Sequence, residues 1–241
     1  MHGRDGIEMK AVIMAAGKGV RMLPLTKEIP KVLVKVDGKP FLLYVIENLT
    51  EAGFDEIGIV AGYKKEKIKD FILENGINAE IIEQEEQLGT GDAIRCAEEF
   101  VDRENFVAVG GDNLWSSEDI RAAAKDDDVN YIGAIEAENP EKYGVLVVEG
   151  ELLIEIKEKP KEFVGNLINT GLYKFTPEIF EALKWVKKSE RGEYELTDAV
   201  SLLAKKGKVK VVKVRDYWLD LGCIQDIERI EDFLRNINAD E

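Results

Sequence analysis

The chain has 241 residues, 45% of them hydrophobic and 34% charged, with a formal net charge of −15 at pH 7. That length suits one large domain or two small ones with a sizeable core, and the acidity argues against nucleic acid and anionic membrane as partners. No apolar stretch approaches the roughly eighteen residues of a membrane span and no charged-then-apolar leader precedes the first strand, so a soluble, cytoplasmic protein is expected.

In chain order, the polar segment over residues 1–8 reads as a tail or tag. The apolar run Ala11-Val12-Ile13-Met14 is a buried strand that opens into the small-residue turn Ala15-Ala16-Gly17-Lys18-Gly19. A helix is predicted from Phe41 to Ala52, stopped by Gly53, then a strand from Ile57 to Ala61. Ile68, Phe71 and Ile72 recur at helical spacing within 66–74, which ends at Asn75-Gly76. A short strand over 79–82, a helix over 91–100 and a strand over 106–109 follow. The second half reads as strands over 131–135 and 144–148, a tight hairpin at Glu149-Gly150 into 152–157, and a strand over 169–175. A helix over 177–188, another over 196–205, a strand over 209–214 and an amphipathic helix over 224–237 complete the chain. Repeated βα units predict helices on both faces of a twisted sheet, with ligands at the carboxyl ends of its strands. The fold class expected is α/β, a Rossmann-like α/β/α sandwich with a mixed, mostly parallel central sheet. Residues 9–241 read as one domain, 9–130 binding nucleotide and 131–241 binding sugar.

Chemistry is bounded by scarcity. His2 is the only histidine, so a histidine triad or a histidine-rich metal site is not expected. Cys96 and Cys223 are too few for a disulfide framework and read as packed thiols. What remains is carboxylates, lysines, arginines, backbone and a bound cation. The glycine turn is the place to find them: its bare backbone can sit against a phosphate chain, and Arg21 and Lys31 follow closely. A Walker loop does not fit, because Met22 stands where its second glycine belongs, and the same residue breaks a dinucleotide fingerprint.

The stretch AVIMAAGKGVRMLPLTKEIPKVLVKVDGKP instead resembles the signature of the sugar-1-phosphate nucleotidylyltransferases, which join a nucleoside triphosphate to a sugar 1-phosphate and release pyrophosphate. Val20 departs from it, standing where the family has Thr or Ser. The resemblance implies a nucleotide-diphospho-sugar transferase type of fold. It implies phosphate contacts from Ala15, Ala16, Gly17 and Gly19, and catalytic charge from Arg21 and Lys31. Two further patterns match. Gly111-Asp112, after the strand over 106–109, and Asp220 in Trp218-Leu219-Asp220-Leu221-Gly222 correspond to the family's pair of Mg2+-binding aspartates. Either aspartate alone could equally be a helix cap or a turn residue.

The stretch QEEQLGTGDA implies that Gln84, Gly89 and Thr90 meet the base; a solvated loop capped by Thr90 is the alternative. Its Q-L-G-T-G form leans toward N-acetylglucosamine-1-phosphate uridylyltransferases, whereas W-L-D-L-G leans toward glucose-1-phosphate uridylyl- and thymidylyltransferases. Sugar contacts are implied for Gly144 (Y-G), Glu158 and Lys159 (E-K-P), and Asn169 and Thr170 (N-T-G). Here too there are plain alternatives: Glu158-Lys159 as a solvated strand end, Asn169 satisfying a bulge. Glu193 and Asp198, in RGEYELTDA, read as structural.

The expected reaction transfers a nucleotidyl group from UTP or dTTP to glucose 1-phosphate or N-acetylglucosamine 1-phosphate with Mg2+ as cofactor. A sugar phosphate is already largely a dianion at neutral pH, so no protein base is needed. The obstacle is repulsion from the triphosphate. The rivals are a cytidylyltransferase for an alditol, inositol or choline phosphate, and a catalytically silent regulatory homologue. The sugar stays open, as does whether the chain is a homo-oligomer.

Overall fold

The computed structural model describes residues 7–239. Its first half runs β1 (Lys10–Ala15), three 3-10 turns (Val20–Met22, Leu25–Lys27, Lys31–Leu33), β2 (Lys35–Val36), β3 (Lys39–Pro40), α1 (Phe41–Ala52), β4 (Ile57–Ala61), α2 (Lys65–Glu74) and β5 (Glu80–Glu83). Next come α3 (Thr90–Cys96), α4 (Glu98–Val101), β6 (Phe106–Gly110), β7 (Asn113–Trp115) and α5 (Ser117–Ala123). The second half holds β8 (Asn130–Glu136), β9 (Gly144–Glu149), β10 (Leu152–Glu158), β11 (Leu167–Phe175), α6 (Glu178–Leu183), α7 (Leu196–Ala204), β12 (Val209–Lys213), β13 (Trp218–Asp220) and α8 (Gln225–Ala239). Of the tail expected over residues 1–8, residues 1–6, with His2, lie outside the described residues. Ile7 donates its N–H to Gly53 O at 3.0 Å and packs on the core, so the described end of that segment is held against the end of α1.

Nine strands form the main sheet in the order β5-β4-β1-β6-β11-β8-β12-β10-β9. β5, β4, β1 and β6 run parallel, as βα crossovers require. β11 then enters antiparallel between β6 and β8, β12 is parallel to β8, and β10 is antiparallel to β12 and β9. β9 also pairs with β11 through Val145 and Ile168, folding the far end of the sheet back toward its middle.

The apolar run of β1 is explained by burial on both sides. Successive strand residues face opposite ways. Ala11, Ile13 and Ala15 join one core with α1, α2, α5 and α8, while Val12 joins the other with α3, α4, α6 and α7. Val12 and Ile13, both fully buried, each contribute about 1.5–3 kcal/mol relative to exposure. Short elements depart from expectation. The helix predicted over 91–100 breaks at Ala97, where the chain tightens to an Ala97 N–H to Ile94 O bond. The helix predicted over 177–188 stops at Leu183, and Trp185 beyond it is 79% exposed, so its apolar character had falsely extended the helical pattern. α5 was not predicted, although Ser116 accepts a bond from Asp119 N–H at 3.0 Å in an S-x-x-D cap. The fold thus places two carboxyl-end loops side by side: the glycine turn after β1, and Gly111-Asp112 after β6, joined by Gly111 N–H to Met14 O at 2.9 Å.

Candidate active site

The turn after β1 opens onto a cleft of about 470 Å³ lined by Ala15, Ala16, Gly17, Gly19, Arg21, Lys31, Gln84, Gly89, Thr90 and Asp112, among others. A Cβ on Gly17 would meet nothing within 4 Å, so this backbone faces open space. Gly19 is different. It sits at φ 62, and a Cβ there would lie 2.8 Å from Lys31 Cβ, so only glycine lets Lys31 pass so close. Thr26 Oγ1 donates to Gly19 O at 2.8 Å and pins the turn.

Lys31 is 8% exposed, and its ammonium lies 2.5 Å from Asp112 Oδ2. Lys31 thus pairs with a carboxylate at the place where the sequence predicts a phosphate contact. Asp220 is carried to the same place by a two-stranded ribbon. β13 pairs antiparallel with β7, Asp220 opposite Asn113, and Leu221 N–H donates to Asp112 O at 2.9 Å. The Asp220 carboxyl is pushed up to about 6, first by burial and next by the charge of Asp112; Lys31 and Arg21 act in the opposite direction. Asp226 adds to the rise. A buried carboxyl whose ionisation is opposed by a neighbouring aspartate suits a divalent cation. Among the described residues no cluster of three or more His, Cys, Asp or Glu forms a metal cage. A two-carboxylate donor set still fits Mg2+, which takes one or two carboxylates together with phosphate oxygens.

The loop over 84–90 is knitted rather than free. Gln84 is 3% exposed and donates through Nε2 to Gly89 O at 3.1 Å and Asp92 Oδ2 at 2.8 Å. Those bonds leave Gln84 Oε1 as its acceptor. Gly89 sits at φ 99, and a Cβ there would lie 2.7 Å from Tyr194 O. Thr90 does not cap its own helix: its hydroxyl accepts from Leu196 N–H at 3.1 Å, tying the loop to the start of α7.

The sugar motifs converge. Glu158 pairs with Gly144 across β10 and β9, and a Cβ on Gly144 would lie 3.1 Å from Glu158 Oε2 and 3.9 Å from Asn169 Cβ. Lys159 is held at φ 43, an unusual left-handed position for a lysine, with its N–H on Tyr143 O at 3.0 Å. Asn169 does satisfy a bulge: its Oδ1 accepts from Gly171 N–H at 2.9 Å and its Nδ2 donates to Tyr173 OH at 2.6 Å. Thr170 corrects the expectation drawn for it. It is 1% exposed and its hydroxyl, without a hydrogen-bond partner among the described residues, packs toward Gly133, so its side chain is turned away from a hexose.

Lys18, Gln87, Arg191 and Glu193 also line the cleft and were not assigned to the site from sequence. Arg191 is the most consequential. It lies within the RGEYELTDA stretch, and its guanidinium bonds Glu195 Oε1 at 2.8 Å. A basic residue beside the cleft, in a stretch already matched, was the available signal. Glu193, for which the sequence predicts a structural role, is among the lining residues. Asp198, read the same way, lies in the first turn of α7 with its carboxyl raised by burial and by Glu195.

The family model described as Nucleotidyl transferase matches residues 10–237. The chain is 42% identical over 235 residues to the bifunctional protein GlmU of Methanocaldococcus jannaschii, covering 96% of this chain and 56% of that protein. It thus spans about half the length of the curated GlmU relatives that it matches. It is 35% identical over 237 residues to the UTP–glucose-1-phosphate uridylyltransferase AglF of Haloferax volcanii, covering 94% of this chain and 97% of that one. Among solved structures, a UDP-glucose pyrophosphorylase complexed with UDP-glucose superposes with a TM-score of 0.85 at 26% identity, covering 95% of this chain and 98% of that chain. The family model covers nearly all of the chain, and the chain belongs to the nucleotidyl transferase family.

Proposed function

We propose that the chain transfers a nucleotidyl group from UTP or dTTP to a hexose 1-phosphate, glucose 1-phosphate or N-acetylglucosamine 1-phosphate, with release of pyrophosphate. The observation that carries this reading is the convergence of Lys31, Asp112 and Asp220 beside a glycine turn whose Gly17 backbone faces open space.

The physical problem is charge. Two unit charges about 4 Å apart cost about 4 kcal/mol at an effective dielectric near 20, and several such pairs form when a sugar phosphate meets a triphosphate. Arg21 and Lys31 oppose this repulsion at the triphosphate, and Lys159 at the sugar phosphate. Mg2+, held by Asp112 and Asp220, would add charge neutralisation at the phosphates. Catalysis is then alignment plus electrostatic stabilisation of an in-line displacement at the α-phosphorus. Gln84 Oε1, Gly89 and Thr90 read the edge of a pyrimidine, and Gly144, Glu158 and Asn169 receive the hexose hydroxyls. The names of AglF and of the UDP-glucose complex favour uridylyl transfer to glucose 1-phosphate; that of GlmU alone states no substrate.

The test is a panel of UTP, dTTP, CTP, ATP and GTP against hexose 1-phosphates, with pyrophosphate as readout. Turnover with UTP or dTTP is expected, because one extra methyl is worth only about 1–3 kcal/mol in such a pocket. Efficient use of ATP or GTP overturns the base assignment. Preference for CTP with an alditol, inositol or choline phosphate would favour the cytidylyltransferase reading.

A further inference from the structure

Asn113 follows Asp112 directly and opens β7, where it lies opposite Asp220. Its side chain is held at both ends. Nδ2 donates to Asp112 Oδ1 at 2.9 Å, and Oδ1 accepts from the Trp218 indole N–H at 2.9 Å. Trp218 begins β13, packs partly buried against the core, and meets Tyr143 edge-on with ring centroids 5.3 Å apart. Tyr143 precedes Gly144, where the sugar motifs gather.

The chain of bonds has a direction. An indole N–H can only donate, so the amide oxygen must face Trp218 and the amide nitrogen must face Asp112. Flipping the amide would set donor against donor at the indole and oxygen against carboxylate at Asp112. A carboxylate on a single methylene otherwise turns about its last bond. With one oxygen engaged by Asn113, the other points at Lys31.

We infer that Trp218 and Asn113 are positioning residues that set the plane of the Asp112 carboxylate, presenting Oδ2 to the cation side of the cleft, with Tyr143 seating the indole. The inference rests on the proposed metal role of Asp112. It gives Trp218 of the W-L-D motif a purpose beyond packing: it acts on the other aspartate, far away in the chain, through one amide. Supports of this kind behind a metal ligand are typically worth about 10–100-fold in metal affinity.

Two readouts test it. In metal-free protein, the indole N–H resonances of the three tryptophans are followed by NMR; Asn113→Ala should shift the Trp218 signal and speed its exchange with solvent. Mn2+ binding is then measured by the electron paramagnetic resonance of the free ion, for wild type, Asn113→Ala and Trp218→Phe, which keeps a ring against Tyr143 but loses the donor. Both variants should bind Mn2+ about 10–100-fold more weakly, and the double variant no more weakly than the worse single one, as expected for members of one relay. Melting temperatures of the metal-free variants should stay close to wild type. Undiminished Mn2+ binding by Trp218→Phe overturns the positioning role while leaving the metal reading standing. Wild-type protein that binds no Mn2+ overturns the metal role of Asp112, and the inference with it, whatever the variants do.

Discussion

Lys31→Ala separates the two things that this residue does. Its ammonium pairs with the Asp112 carboxylate, with the lysine side chain 10% exposed and the aspartate side chain 34% exposed. Exposed ion pairs contribute about 0–1 kcal/mol, and breaking a buried one costs about 3–5 kcal/mol. This pair lies between those limits, so the loss of stability should be about 1–3 kcal/mol, or roughly 2–12 °C in melting temperature for a chain of this size. The Asp220 carboxyl, already pushed up to about 6, loses one of the charges holding it down. Excess Mg2+ should then recover more stability in the variant than in wild type, since a cation at the two carboxylates replaces the missing charge. Turnover should fall about 10²–10³-fold, the usual loss when one positioned charge is removed from a developing anion. The assays are pyrophosphate release and thermal melting with and without Mg2+. Near-normal turnover, or a melting temperature unchanged from wild type and indifferent to Mg2+, would refute the reasoning.

Arg21→Ala should lose turnover about 10²–10³-fold with little change in melting temperature, because Arg21 is exposed at the mouth of the cleft; pyrophosphate release and melting read the two effects. Arg191→Ala should also act on turnover rather than stability, since its side chain is 64% exposed; a large melting shift would move it to a structural role. Gly19→Ala should displace Lys31 through the overlap at its Cβ and cost about 1–3 kcal/mol of backbone strain besides, so both activity and melting temperature should fall. For Asp220 the sign with pH is set by a folded value raised to about 6. Its proton-linked stabilisation of the metal-free protein is complete below the unfolded value of about 3.9 and is lost as pH rises through about 6. Asp220→Asn should flatten this part of the stability profile, and Mn2+ binding to wild type should weaken as pH falls through the same range.

The parallel half of the fold was legible because β1, β4 and β6 are buried on both faces and read as unbroken apolar runs between glycine and helix signals. Short elements were not. β7 and β13 hold three residues each, too few for periodicity, yet their pairing brings Asp220 to Asp112. Motif likeness alone suggested that juxtaposition; nothing in the spacing of two distant aspartates could. Gly19 was legible as a phosphate turn, but its second reason, the close passage of Lys31, depends on tertiary structure. Thr170 shows the opposite limit. It lies in a matched N-T-G, and strand alternation with Asn169 turns its side chain to the opposite face and into the sheet's interior.

Pyrophosphate release is the most direct measure of the central claim, that the two aspartates and the basic residues of one cleft join a nucleoside triphosphate to a sugar 1-phosphate. With Mg2+, UTP or dTTP, and glucose 1-phosphate or N-acetylglucosamine 1-phosphate, wild type should release pyrophosphate in step with nucleotide-sugar formation. Asp112→Asn and Asp220→Asn should lose most of that activity and still fold. Pyrophosphate release that continues in both variants, or that wild type shows with no nucleotide-sugar formed, would contradict the account.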